Sequence, residues 1–257
     1  MAAWYRMWFS TTMGAESCRR QAAFHVARCR RDREGSLDIT WYGYSCFRIR
    51  ERGLAIVTDP YSKAIGLAMP RLRADVVTVS HAHEGHSNAR VLRGHPQLLQ
   101  GPGEYEIGGV FVTGVPTFHD DEAGSKRGRN TAFLFDLSGV TVCHLGDLGH
   151  VLTQAQVEAL DGVNVLLIPA GGGSTLSVSD AAEVVSQIEP NIVIPMHYRT
   201  PGLTRDLAPI SRFLKAMGIT RPAAQDGLKV SANTLPQVQQ IVVLNLKGEP
   251  RDDAQQG

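Results

Sequence analysis

A chain of 257 residues, 43% hydrophobic and 20% charged, has the make-up of an ordinary globular protein, and its length suits one large α/β domain or two small ones. The net charge is +1, so no broad basic excess points to nucleic acid, and no apolar run approaches the roughly 18 residues of a membrane span. Four cysteines, Cys18, Cys29, Cys46 and Cys143, show no paired spacing, which disfavours a disulfide framework and a thiolate zinc site and fits a reducing cytoplasm.

Residues 1–36 stand apart, with seven arginines, no lysine and three acids. Taking them from the chain's 26 basic and 25 acidic residues leaves 19 and 22, so the rest is mildly acidic. Arg6 interrupts the apolar start, which excludes a clean secretory core. The reading is an Arg-rich extension over 1–36, disordered or not native, then one domain over 37–247 and a tail over 248–257.

Residues 37–41 alternate like a half-buried strand, 42–44 turn, and 45–50 make a second strand. Arg52-Gly53 turns into a third, 54–58, completing an antiparallel meander that ends at Asp59-Pro60. The run 74–79 has the β-branched content of a buried strand. Ser80-His81-Ala82-His83-Glu84-Gly85-His86 follows it directly, then a short helical reading over 88–93. Past the breaks at Gly94 and Pro96, β segments at 104–107 and 109–113 lead to Pro116-Thr117-Phe118-His119. Residues 120–130 read as a polar loop, 131–135 and 140–145 as strands, and 146–150 as a turn. Thr153 caps a helix reaching Leu160.

From there the pattern becomes strand, helix, strand. A strand at 163–169 precedes the flexible loop Gly171-Gly172-Gly173, which lacks the lysine and spacing of a phosphate loop. Ser179 opens a helix running to Glu189, and a strand at 191–195 ends at Met196-His197. A helix over 207–217 closes at Gly218, and a last strand spans 239–246. With no repeat at solenoid periods, the expected class is α/β (α+β), a single domain of strands flanked by helices.

Chemistry gathers at strand ends. Three imidazoles fall within six residues after Val79, and neutral imidazole is a common zinc ligand. Along extended backbone His81 and His83 project the same way, while His86, beyond a turn, approaches from another side. His119, Asp147 and His197 also end apolar runs. Five histidines and one carboxylate form a sensible set for two divalent metals. Asp59 reads either as a hydrogen-bond partner of a ligand imidazole or as a turn cap before Pro60. His144 opposes Leu145 on its strand and reads as packed, and His95 reads as surface. Lys126, Arg127 and Arg129 are either a solvated loop or a clamp for an anion. No G-x-S-x-G elbow is present.

This ordered set resembles the metallo-β-lactamase superfamily, whose motifs are His-x-His-x-Asp-His, a single His, an Asp and a final His. The resemblance spans about 37–246. Ile39-Thr40-Trp41-Tyr42-Gly43-Tyr44-Ser45-Cys46-Phe47, Val57-Thr58-Asp59-Pro60 and Pro195-Met196-His197-Tyr198 are similar to the small branch that includes ascorbate-phosphate lactonase. It implies an αββα sandwich with the site at one edge of the sheets. It implies that His81, His83 and His119 hold a first ion, that His86 and His197 hold a second, and that Asp147 bridges them. Gly85 stands where the motif has its aspartate, with Glu84 beside it facing away. The second site then keeps three ligands, and one tight and one labile metal are expected.

The implied activity is metal-dependent hydrolysis, with Asp147 orienting the activated water. Zinc is the first choice of ion and manganese or iron the alternatives, at one or two per chain. The implied substrate is a small, anionic or phosphorylated ester or lactone. Lys126, Arg129, His150 and Tyr198 are the candidate substrate-binding residues. Two other readings stand beside it: a non-catalytic metal or anionic-ligand binder, and a phosphodiesterase or nuclease. The related RNA-processing enzymes carry a large insertion between the later motifs, whereas 50 positions separate Asp147 from His197 here. A redox role is disfavoured, because the di-iron relatives place a carboxylate where His83 stands. The expected partner is a small molecule in the cytoplasm, without nucleic acid or membrane, and self-association is left open.

Overall fold

The structure, a computed structural model, describes residues 35–220 and 222–247. The extension read over 1–36, apart from its last two residues, and the tail over 248–257 lie outside the described residues.

The first sheet starts with the expected meander, β1 (Leu37–Trp41), β2 (Phe47–Glu51) and β3 (Leu54–Thr58), all antiparallel. Parallel strands β4 (Val76–Val79) and β5 (Gln97–Gln100) extend it. All four β4 residues are buried, as its β-branched run predicts. β5 was hidden in sequence: Gln97-Leu98-Leu99-Gln100 has no β-branched residue and follows Gly94 and Pro96. The helical reading over 88–93 is a single 3-10 turn, Ala89–Val91.

The second sheet contains β6 (Gly103–Ile107), β7 (Val110–Phe118), β8 (Arg129–Leu137) and β9 (Val140–His144), each antiparallel to the next. After helix α1 (Gln154–Ala159) come β10 (Val165–Pro169), α2 (Val178–Ile188), β11 (Ile192–Met196) and α3 (Ile210–Ala216). β10 is parallel to β9 and to β11. Thr153 caps α1 in a full capping box with Gln156. α2 is capped by Ser177, whose Oγ accepts from Asp180 N at 3.2 Å, so this helix opens before the Ser179 chosen from sequence.

Near the C-terminus, β12 (Ala224–Gln225), β13 (Leu228–Val230), β14 (Gln240–Ile241) and β15 (Val243–Leu244) finish the fold. β13 pairs with β1, β14 with β11, and β15 with β12. The strand expected over 239–246 is therefore two short pieces with different partners.

Ile39, Phe47, Ile56 and Val76 of the first sheet share one buried core with Phe133, Phe135, Val142, Leu167 and Ile194 of the second. Burying each such side chain contributes about 1.5–3 kcal/mol relative to exposure. The outer face of the second sheet, with Cys143, Leu166, Ile168 and Val193, is covered by Ala181, Val184 and Val185 of α2 and Phe213 of α3. Over the first sheet, Cys46 and Val57 pack with Tyr61, Ile65, Leu67 and Leu72, from a segment whose regular piece is the 3-10 turn Lys63–Ile65. The expected sandwich is present, with irregular chain rather than α-helix as this outer layer.

The parallel strands align their carboxyl ends at one edge of the sandwich, where open α/β sheets place ligands. Asp59 follows β3, the histidine stretch follows β4, Asp147 follows β9 and His197 follows β11. His119 follows β7 at the same edge, and Thr131 N donates to Ser80 O at 3.0 Å, tying one sheet to the other beside the histidines.

Candidate metal centre

Asp147 is the node of the site. Its Oδ2 lies 3.1 Å from His86 Nε2, 3.2 Å from His197 Nε2, 3.4 Å from His119 Nε2 and 3.8 Å from His81 Nε2. Residues from four strand ends, spread over more than a hundred positions, thus meet around one carboxylate. Three donor groups result, His81–His83–His119, His86–Asp147–His197 and Asp59–His81–His86, each with ligand atoms within 4.8 Å of one another, and in the third both Asp59 oxygens are already engaged by Ser80 and His86. All six ligands expected from the resemblance are brought together. Glu84 belongs to none of the donor sets among the described residues and is exposed at the rim of the cavity, so it does not replace the motif's aspartate.

The donor atoms fit a cation. His81 Nε2, His86 Nε2, His119 Nδ1, both His197 nitrogens and Asp147 Oδ1 are buried without a hydrogen-bond partner. Each such orphan costs about 1–3 kcal/mol unless something satisfies it. Nitrogen and carboxylate donors suit zinc, manganese or iron.

Electrostatics follow from packing. Burial acts to raise the Asp147 carboxyl, but His197 and His86 beside it hold it well below the usual range. Burial, with His86 nearby, pushes His81 down to about 3, leaving a neutral imidazole ready to ligate. Burial also acts against charge on His86, yet Asp147 and Asp59 outweigh it and raise His86 to about 10. A divalent ion bound by His86 Nε2 would take the place of a proton there, as metal binding to an imidazole requires.

Asp59 supports the ligands instead of joining them. Its Oδ1 accepts from Ser80 N at 2.8 Å, and its Oδ2 accepts from Ser80 Oγ at 2.5 Å and faces His86 Nδ1 at 2.9 Å. With Nδ1–H donated to Asp59, His86 presents Nε2 toward Asp147. Ser80 Oγ is also 2.9 Å from His81 Nδ1. Asn130 holds the far side: its Nδ2 donates to Leu145 O and Thr117 Oγ1, and its Oδ1 accepts from Asp147 N at 3.0 Å. Sequence reading missed Ser80 and Asn130, because nothing in their spacing distinguishes a buried support from an ordinary loop residue.

The backbone here is strained. Asp59, Tyr44 and His197 have φ of 39°, 54° and 52°, in the left-handed region that non-glycine residues rarely adopt. Gly146, at φ 59°, lets the end of β9 come close to Ser80: a Cβ there would lie 2.5 Å from Ser80 Cβ and from Asn130 Oδ1.

The donor sets open into a cavity of about 410 Å³, lined by Tyr44, His83, His86, His119, Arg127 and Arg205 with neighbouring backbone. Of the three loop cations read from sequence as a possible clamp, Arg127 lines it, and Arg205 joins it from elsewhere. Asp120, buried beside His119, accepts four backbone N–H groups, from Glu122, Gly124, Lys126 and Arg127. That loop is therefore built rather than loose, and it directs Arg127 to the cavity, with Nη1 donating to Ser174 O at 3.3 Å. Lys126 turns outward to pair with Glu122. Arg129 belongs to β8, opposite Phe118, and is not on the loop. His150 is held by backbone on both nitrogens, Nε2 accepting from Phe118 N and Nδ1 facing Val151 O at 2.8 Å. Tyr198 is a core residue, its ring 5.1 Å from Trp41. None of these four lines the cavity. Arg205, from the loop before α3, was unpredicted because its neighbours in sequence carry no site signal. His144 is packed as expected, its Nε2 2.8 Å from Ser45 O.

A family model, the β-lactamase superfamily domain, matches residues 38–197. A protein named UPF0173 metal-dependent hydrolase from Carboxydothermus hydrogenoformans is 28% identical over 215 residues, covering 71% of this chain and 94% of that one. One of the same name from Archaeoglobus fulgidus is 26% identical over 216 residues, covering 71% and 93%. Among solved structures, a candidate zinc-dependent hydrolase of the metallo-β-lactamase superfamily from Thermotoga maritima is 38% identical, with a TM-score of 0.68 over 81% of this chain and 98% of that one.

Proposed function

The chain belongs to the metallo-β-lactamase superfamily and is a metal-dependent hydrolase of that fold, and from this premise we propose that it cleaves a small ester or lactone bearing an anionic group such as phosphate or carboxylate. The observation that carries the proposal is the pairing of the Asp147 node with two arginines, Arg127 and Arg205, around one cavity of about 410 Å³. That volume suits a small molecule.

His81, His83 and His119 would hold one ion, and His86, His197 and Asp147 a second. A divalent ion in such a site supplies a nucleophile at neutral pH by lowering the pKa of water from about 15.7 to about 7. Asp147, kept anionic by its histidine neighbours, accepts a hydrogen bond from the attacking water and sets its direction. Arg127 and Arg205 grip the anionic end of the substrate, a task suited to the guanidinium fork. Tyr44, 6% exposed as a residue, lines the cavity with its ring packed on His86 and His197.

Zinc as the resident ion belongs to the same proposal, supported by the imidazole-rich donor set. So does a cytoplasmic location, supported by the free, buried thiols Cys46 and Cys143. The deciding experiment is a panel of lactones, carboxylic esters, phosphomonoesters and phosphodiesters, each in anionic and neutral form, with zinc-, manganese- and iron-loaded protein. Turnover of an anionic ester or lactone, absent after metal removal, is expected. Metal binding with no turnover across the panel would leave the binding-protein reading in its place.

A further inference from the structure

Gly85 sits between His83 and His86 in the ligand loop and lines the cavity. It is not among the residues with positive φ, so its backbone conformation does not call for glycine. The obstacle to a side chain is a neighbour. A Cβ on Gly85 would lie 2.8 Å from Tyr44 Cε1 and 3.5 Å from Ile65 Cγ2. Real Cβ atoms do not approach other atoms as closely as the first distance, so the ring would have to move.

The Tyr44 backbone is anchored and its ring is packed between imidazoles. Its carbonyl accepts His197 N at 3.0 Å and Trp41 Nε1 at 3.1 Å. Its ring centroid lies 4.2 Å from that of His197 and 4.9 Å from that of His86. Those are the two imidazoles of one donor set, and the ring makes no comparable contact with His81, His83 or His119 among the described residues. An aromatic wall thus stands where a side chain from position 85 would enter the His86–Asp147–His197 set.

We propose that Tyr44 and Gly85 act as a coupled pair that removes one carboxylate from the second metal site and fills its place with an aromatic ring, so that the protein retains a single tightly held divalent ion at His81, His83 and His119. Tyr44 is a positioning residue in this scheme, not a ligand. The inference rests on the metal reading above but not on any substrate.

The pair has a signature that neither residue has alone. Restoring a carboxylate with G85D fails in the presence of Tyr44, because the new side chain meets the ring. Removing the ring with Y44G adds no donor. Glycine is tolerated at position 44, where φ is 54° and the two anchoring bonds use only the backbone carbonyl.

The test loads the full chain with excess zinc, dialyses it against a mild chelator and measures retained zinc per chain for the wild type, G85D, Y44G and Y44G/G85D. One equivalent is expected for the first three and two for the double variant. Two equivalents retained by the wild type or by G85D would overturn the proposal, as would one equivalent in a folded double variant. Should the double variant not fold, a thermal-stability cycle of G85A, Y44G and Y44G/G85A replaces it. Ring crowding makes G85A lower the melting temperature in the wild type and at most half as much in the Y44G background. Equal losses in both backgrounds would refute the coupling. None of these measurements requires turnover, so protein that hydrolyses nothing yet shows the zinc pattern leaves this inference standing and overturns only the substrate proposal.

Discussion

Asp59 and His86 form a buried pair, Oδ2 to Nδ1 at 2.9 Å, with both side chains at most 1% exposed. The pair fixes which nitrogen His86 offers to the cavity, and Ser80 completes it by donating two hydrogen bonds to the same carboxylate. Outer partners of this kind typically set metal affinity by about 10–100-fold. Because Ser80 Oγ also faces His81 Nδ1 at 2.9 Å, the same carboxylate supports the first donor set, and D59N is expected to weaken zinc retention by about that factor while the protein stays folded. Competition against a chromophoric chelator, with circular dichroism as the folding control, checks it. Unchanged affinity would return Asp59 to a turn-capping role.

Asn130 carries a separate expectation. It is 1% exposed and satisfies Leu145 O and Asp147 N at once. N130A would leave both buried groups unpaired, and each orphan costs about 1–3 kcal/mol. A loss of about 2–6 kcal/mol in urea unfolding is expected, together with weaker metal retention as the turn bearing Asp147 loosens.

Which cation meets the substrate is decided by two alanine variants per hypothesis. R127A and R205A are expected to raise KM for an anionic substrate by about 10–100-fold, the loss of a charge-assisted hydrogen bond, and to leave a neutral analogue nearly unaffected. K126A and R129A should change KM less than about twofold, since exposed charges away from a site contribute little. Equal effects at Arg127 and Lys126 would contradict the assignment.

The Asp120 loop gives a pH expectation. Burial acts against ionisation of Asp120, but the N–H groups of Arg127, Gly124, Glu122 and Lys126 outweigh it and lower the carboxyl to about 2. The folded value is below the unfolded value of about 3.9. The stabilisation is thus fully present above about pH 4 and is lost as pH falls toward 2. Hydrogen-exchange protection of the Lys126 and Arg127 amides should be constant across neutral pH once corrected for intrinsic exchange, and should fail only in strong acid. D120N should weaken the protection of the loop at any pH, because one amide oxygen cannot accept all four N–H groups that the two carboxylate oxygens accept now.

Metal removal should act on stability as well as turnover. An ion that binds only the folded state adds about 2.7 kcal/mol when present at 100 times its dissociation constant. Chelator-stripped protein is expected to lose activity and melt several degrees lower, with both restored by zinc. Full activity in verified metal-free protein would end the hydrolase scheme.

Much of this centre was legible in one dimension. His81, His83, His86, His119, Asp147 and His197 each end an apolar run, and a strand end is a place that hydrophobic periodicity reveals. The meander over 37–58 and the capped helix at Thr153 were legible for the same reason, since alternation and capping are local physics. Strand β5 was not, because Gln97-Leu98-Leu99-Gln100 carries no pattern of its own and is a strand only because β4 offers a parallel partner.

What the sequence offered by itself was a set of donors at the ends of buried strands, because strands and their terminal residues are written in residue type and spacing; the sandwich and the sharing of those donors between ions came from the resemblance to a family. Tertiary structure alone decided which loop residues serve that set. Asp120 folds its loop so that Arg127, not Lys126, faces the cavity; Asn130 reaches back to Asp147; and Tyr44 closes the space beside Gly85. Side-chain direction in a turn depends on hydrogen bonds closed across space, and no spacing rule along the chain encodes those bonds.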